Sequence, residues 1–307
     1  GTKIETVVMG GRKVLGSVRV PTPQTGAEDV IEAIVASIRG AIDAADTTAE
    51  GIAGIGVGSP GAIELDGSVG DARNVPGFEA APVPLRSRLS QAFGGIPVSV
   101  DNDVRVAVRG EWKRGAGRSY RNLLGVFVGT GVGGGLILDG RLRVGNGAAG
   151  EIGHTVVKPE GRTCSCGQKG HLEAYAGRGC IEAEARRLQE KGRDTDLFRL
   201  MRHRGRDRAT SGVIAAALKH GDKVTRGLID DAVWALGIAL ANAQNVLDLD
   251  AIIIGGGLGD RLGEPFITAV RDATLPGLFD SRHAPEFLGT ELRDLSGAVG
   301  AAVLAGG

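Results

Sequence analysis

The sequence predicts an α/β protein built from two units of one plan, each alternating apolar strands with amphipathic helices. Three observations carry that prediction. Short apolar runs at Ile52–Val57, Ile96–Val100, Leu123–Val128 and Ala251–Ile254 have strand length and strand composition. Each run ends in a glycine cluster or, after Val100, in Asp101-Asn102-Asp103. Between them lie stretches in which apolar residues recur every fourth position, as Val30, Ile34, Ile38 and Ile42 do.

Taken in order, two strands are expected at Ile4–Met9 and Lys13–Val20, joined at Gly10-Gly11, with a helix over Ala27–Ala45. Strand Ile52–Val57 leads into Gly58-Ser59-Pro60-Gly61, and a loop carries Asn74-Val75-Pro76-Gly77. A short helix over Leu85–Phe93 precedes strand Ile96–Val100, and Asp101-Asn102-Asp103 opens a further helix toward Trp112. The second unit starts at Leu123. Its first strand runs into Gly129-Thr130-Gly131-Val132-Gly133-Gly134-Gly135, then Leu136-Ile137-Leu138 and an Asp139-Gly140 turn. A long helix fits Thr225–Leu247, with Leu228, Ala232, Leu236 and Leu240 on one face, and strand Ala251–Ile254 ends in Gly255-Gly256-Gly257. Gly297–Ala305 reads as a small-residue helix, and the arginine-rich Gly192–Arg208 as a solvated loop or helix face.

Composition narrows the function. Lysine plus arginine and aspartate plus glutamate number 36 each. That balance speaks against a broad grip on nucleic acid or an anionic membrane. No apolar run reaches the roughly 18 residues of a membrane span and no signal-peptide pattern opens the chain, so a cytoplasmic protein is expected. Glycine numbers 52 of 307 residues, against an average near 7%. Small-residue bias of the genome accounts for part of the excess, but not for its clustering after strands.

The glycine run contains a G-x-G-x-x-G match at Gly129, Gly131 and Gly134. A dinucleotide fold needs a helix next, whereas Leu136-Ile137-Leu138 and a hairpin turn follow. The loop can still turn backbone amides and the Thr130 hydroxyl toward phosphate, or simply be a tight turn. Asp101-Asn102-Asp103 sits at the carboxyl end of a strand, the ligand edge of α/β sheets, and helix capping explains one of its three residues. The sharpest signal is His154, Cys164, Cys166 and His171: two thiolates and two imidazoles, the ligand set of a closed, structural zinc site. Free buried cysteines beside unrelated histidines are the alternative.

These residues together resemble the ROK family (repressors, open reading frames and kinases). Gly153-His154, Cys164-x-Cys166-Gly167 and Gly170-x-Leu172-Glu173 look like its signature, and the glycine loops and Asp101-Asn102-Asp103 fall in its order over nearly the whole chain. The resemblance implies an actin-like, ribonuclease-H-type (ASKHA-like) two-lobed fold, with duplicated α/β units around a cleft. It implies a smaller lobe of residues 1–103 with 294–307, and a larger lobe of 104–293 carrying the zinc loop. It implies ATP-dependent phosphorylation of a hexose, glucose first, with N-acetylglucosamine, N-acetylmannosamine and fructose as further candidates, or else a sugar-sensing transcriptional regulator.

By position, Asp103 would be the catalytic base, with Gly61, Asn74, Asn102, Glu151, His154 and Glu173 on the sugar. Thr2, Lys3, Gly129, Thr130, Gly131, Gly133, Gly134, Gly255, Gly256 and Gly257 would hold ATP and its Mg2+, and His154, Cys164, Cys166 and His171 a structural Zn2+. A homodimer or dimer of dimers is implied, with no nucleic-acid or membrane partner for the kinase. Three departures stand out. Histidine occupies position 171, where the family usually has cysteine, and Asp101 replaces the usual glutamate, with Val104-Arg105 following where small or amide residues are common. The family's first phosphate motif, Asp-x-Gly-Gly-Thr, ends a central opening strand, whereas this sequence opens at Gly1-Thr2-Lys3. The expectation is a natural chain that extends further N-terminally.

Overall fold

The structure is a computed structural model that describes residues 3–306. It divides into two compact units: the chain up to Ser119 with Val144–Gly147 and the segment from Asp294, and Tyr120–Arg143 with Ala148–Arg293. The break lies sixteen residues beyond the expected 103/104 boundary, because the helix after Asp103 packs within the first unit.

In the first unit, strands β1 (Lys3–Gly10) and β2 (Lys13–Pro21) form an antiparallel hairpin with a register shift at Val8/Met9. Helix α1 (Ala27–Ala44) follows, and β3 starts at Ile55 and not Ile52, since Ala49–Gly51 winds into a 3₁₀ turn. After β3 (Ile55–Ser59) come a small antiparallel pair, β4 (Ala62–Ile63) and β5 (Val69–Gly70), and helix α2 (Leu85–Ala92). Strand β6 (Val98–Asn102) pairs parallel with β3 and hands over to α3 (Asp103–Arg114). The core joins Val30, Ile31, Ile38 and Ile42 of α1 to Ile55, Leu85, Leu89, Val98 and Val100.

The second unit carries one five-stranded sheet. Strands β7 (Leu123–Val128), β8 (Val132–Leu138) and β9 (Arg141–Arg143) form an antiparallel meander; its last turn is Asp139-Gly140, both at positive φ, 54° and 70°. Gly133, Gly134 and Gly135, expected in a loop, are rungs of β8, so the turn proper shrinks to Gly129-Thr130-Gly131. One helical turn, α4 (Glu173–Ala176), precedes α5 (Arg178–Glu190), α6 (Leu197–His203), α7 (Ser211–Lys219) and α8 (Lys223–Leu247). In the arginine-rich segment, α6 buries Leu197, Phe198, Leu200 and Met201 and leaves every arginine in water. Strand β10 (Ala251–Gly255), buried at every residue, pairs parallel with β7 on one side and with β11 (Glu286–Gly289) on the other. Helices α9 (Gly256–Leu262) and α10 (Glu264–Thr274) connect them. Leu228, Ala232, Leu236 and Leu240 of α8 are all buried, as the four-residue recurrence predicts. No helix among the described residues is long and apolar enough to cross a membrane.

The terminal helix α11 (Ser296–Ala305) returns to the first unit against α3 and β3. It sits so close that a Cβ at Gly56 would lie 1.7 Å from the Ala301 carbonyl oxygen. In the second unit the sheet order is β9-β8-β7-β10-β11. The first unit repeats the two flanks, the β2-β1 hairpin and the parallel β3-β6 pair, as separate two-stranded sheets. Where β7 would stand is a cavity of about 530 Å³.

Candidate functional site

In the first unit, chemistry gathers where β6 ends and α3 begins. Asn102 is the N-cap of α3: its Oδ1 accepts from the amides of Val104 (3.0 Å) and Arg105 (3.2 Å). A cap of this kind is worth about 1 kcal/mol. It also fixes the direction of Asp103, the next residue, whose Oδ1 accepts from the Val104 amide at 2.9 Å. Asp101 is buried and accepts from Arg105 Nε at 2.7 Å, while Arg105 Nη1 donates to the carbonyl of Gly147. Each of the three residues therefore has its own task. Withdrawal from water raises the Asp103 pKa above the ordinary carboxylate value, against the lowering by its backbone hydrogen bonds. That carboxyl therefore holds its proton more tightly than an exposed aspartate does.

Nearby in sequence, Gly61 turns at φ 95°, where a Cβ would meet the Gly70 carbonyl oxygen at 2.3 Å, so the turn itself demands glycine. Asn74 is exposed on a loop anchored by buried Val75 and Phe78 and closed by Phe78 N to Val75 O and Ala72 N to Phe78 O. Lys3 pairs with Glu5 and Asp294, both at 3.4 Å. Thr2 lies outside the described residues.

In the second unit, β7 and β10 are adjacent and parallel, so the turns after them share one sheet edge. After β7, Gly129 N donates to Gly131 O at 2.8 Å, and the start of α5 closes on the turn: Arg178 N to Gly129 O and Gly179 N to Thr130 O. Arg178 Nη2 donates to Thr130 Oγ1 at 3.1 Å, and burial lowers the pKa of that guanidinium. After β10, Gly256 takes φ 80° and opens α9 against β7; a Cβ there would lie 2.8 Å from Val128 backbone atoms. Glu173 is buried, its Oε2 accepting from Val132 N at 2.9 Å and its Oε1 from Ser165 Oγ. One carboxylate thus ties the strand after the glycine turn to the cysteine loop. Glu151 is exposed at the entry to the Ile152–His154 turn.

The expected metal ligands come together. The ligand atoms of His154, Cys164, Cys166 and His171 all lie within 4.8 Å of one another. His154 Nδ1 is 3.4 Å from His171 Nδ1 and 3.9 Å from Cys164 Sγ, and Cys166 Sγ is 3.3 Å from His171 Nδ1. A tetrahedral zinc with bonds of about 2.0–2.3 Å needs ligand edges of roughly 3.3–3.8 Å, so the donors are of the right kind and the two shortest edges already match. Burial pushes the Cys164 thiol up to about 12, a cost that a bound cation offsets by stabilising the thiolate. With Nδ1 toward the cluster, His154 keeps Nε2 for another partner.

Comparison with known proteins settles the family. The whole chain, residues 1–307, matches the ROK family. The chain belongs to the ROK family. A glucokinase of Streptomyces coelicolor is 31% identical over 99% of this chain and 95% of its own length. An N-acetylgalactosamine kinase of a Shewanella species is also 31% identical, over the whole chain and 94% of its own length. The crystal structure of a ROK family glucokinase from Streptomyces griseus, in complex with glucose and AMPPNP, superposes with a TM-score of 0.81 at 31% identity. It covers 99% of this chain and 96% of that one. The expected actin-like α/β fold class stands.

Two contacts of this ROK chain escaped sequence reasoning. Arg178 on Thr130 carries no sequence signal, being distant along the chain. Arg105 did have one, its i,i+4 spacing from Asp101, but in the sequence it stood out only as a departure from the family's small or amide residues. Replacing Arg105 by alanine strands a buried carboxylate and should destabilise the first unit by roughly 3–5 kcal/mol. The Asp101→Asn/Arg105→Ala double variant should recover much of that in denaturant titrations; equal losses in both would mean the ion pair is not the cause.

Proposed function

We propose that this chain transfers the γ-phosphoryl group of ATP to a hydroxyl of glucose, giving glucose 6-phosphate. The chain is a sugar kinase, and its ROK relatives include kinases named for more than one hexose. The observation that carries the reading is Asp103: a carboxyl held by a capped helix start, with its proton affinity raised by burial. In phosphoryl transfer the attacking hydroxyl sheds its proton to such a carboxylate as the P–O bond forms. The rest of the rate comes from positioning and charge stabilisation.

The roles assigned by resemblance follow. In the first unit Asn102, with its Oδ1 spent on capping, offers Nδ2 to a sugar hydroxyl, and Gly61 and Asn74 line the sugar. In the second unit Glu151, Glu173 and His154 Nε2 hold hydroxyls, the Glu173 carboxylate being shared with Val132 and Ser165. The Gly129-Thr130-Gly131 turn, with Gly133 and Gly134 behind it, receives phosphate, and Gly255–Gly257 the adenosine. ATP enters as its magnesium complex, which screens the phosphate charge. His154, Cys164, Cys166 and His171 hold a structural zinc, with no position left over for catalysis.

Zinc should measure near one per chain by atomic absorption. His171→Cys should keep it and His171→Ala lose it with a lowered Tm, whereas a metal-free wild-type chain would end the zinc assignment. Asp103→Asn should cut glucose-dependent ADP release by roughly 10²–10⁴-fold while sugar affinity changes little. Turnover surviving that change would remove Asp103 as the base. Sugar binding with no ADP release by the wild-type chain would favour the regulator instead.

A further inference from the structure

We propose that Arg178 is a catalytic residue of this chain, its guanidinium binding the phosphates of the donor nucleotide beside Thr130. The inference rests on reading the Gly129-Thr130-Gly131 turn as the phosphate end of the ATP site, and it adds a residue which that reading leaves out.

Within the chain itself a positive charge at this position is unfavourable. Arg178 opens α5, and a helix N-terminus disfavours a cation. The side chain is half-buried, and its Nε lies out of solvent with no acceptor. Withdrawal from water lowers its pKa, and no carboxylate answers the charge among the described residues. Two carboxylates near it along the chain are already engaged. Glu173 accepts from Val132 N and Ser165 Oγ. Glu182, one turn along α5, accepts from Arg186 Nη2 and Ala209 N.

What the guanidinium does meet is the glycine turn. Arg178 Nη2 donates to Thr130 Oγ1 at 3.1 Å. That bond takes a lone pair of the hydroxyl oxygen and leaves the Thr130 proton free to donate elsewhere. Backbone bonds hold the two residues together: Arg178 N donates to Gly129 O, and Gly179 N to Thr130 O. Two carbonyls of the turn are thus occupied, whereas the amides of Thr130 and Gly131 meet no acceptor among the described residues. A guanidinium, a hydroxyl and two backbone amides gather at one turn, and all of them are donors. Phosphate oxygens supply both the lone pairs these donors lack and the negative charge that Arg178 lacks. As the γ-phosphoryl group passes to the sugar hydroxyl, negative charge shifts onto the leaving ADP. A guanidinium on the phosphate chain lowers the energy of that arrangement.

The test titrates wild type and Arg178→Met with magnesium AMPPNP and, separately, with adenosine, and records Tm for both chains. Arg178→Met should bind AMPPNP about 10- to 100-fold more weakly, with adenosine affinity unchanged. Its Tm should equal or exceed that of wild type, because an unanswered charge has been replaced by an apolar chain of similar length. A side chain that merely pinned α5 to the turn would behave oppositely: Tm would fall and both ligands would weaken together. That outcome overturns the proposal. Should Arg178→Met not fold, Arg178→Gln, which keeps a donor for Thr130, decides on the same two ligands. A wild-type chain that binds no AMPPNP removes the phosphate-site reading and this inference together. AMPPNP binding that is indifferent to residue 178 removes this inference alone.

Discussion

Everything the proposed reaction asks of the first unit depends on holding one half-buried carboxyl at the start of α3 in place. A helix N-terminus favours a negative charge by about 0.3–1 kcal/mol, and Asp103 also accepts a backbone hydrogen bond, yet burial prevails and its pKa goes up. The surroundings sustain this. The Asn102 cap fixes the first turn, and the Asp101–Arg105 pair binds the end of β6 to α3 and to the Gly147 carbonyl. The carboxyl is held in place by neighbours that are themselves spent on position.

The second unit solves a different problem, bringing backbone close to backbone. At the shared edge of β7 and β10, glycine lets α9 start against Val128 and lets Glu173 approach Gly131, where a Cβ would lie 2.2 Å from its Oε2. The Glu173 carboxylate then connects the glycine hairpin to the loop of Cys164 and Cys166, where four side chains of metal-ligand type converge. Amides at the hairpin and side chains at the metal loop are thereby parts of one hydrogen-bonded piece.

Much of this was legible in the sequence. Strand β7, helix α8 and the buried β10 appear where periodicity puts them, because uninterrupted apolar pattern leaves no competing structure. The histidine and cysteine cluster was legible because both residue types are scarce in this chain. The rest depended on tertiary context. Gly133–Gly135 look like loop, but pairing with β7 makes them strand, and the leucines hidden among the arginines of α6 find a core that composition does not announce. The domain break moved because α3 follows its packing against α11 and not the motif that opens it. Gly61 was expected against the sugar; its tight turn shows that backbone geometry alone already demands glycine there.

The most direct measurement is the pH profile of kcat/KM for glucose in the wild-type chain. As the proposed base, Asp103 would act only when ionised, and burial raises its pKa, so the rate should fall as pH drops through a midpoint above the ordinary value of 3.8. An acid limb there, steep by one proton, is the predicted result. A rate that stays level down to pH 4 in a chain that remains folded would contradict the account.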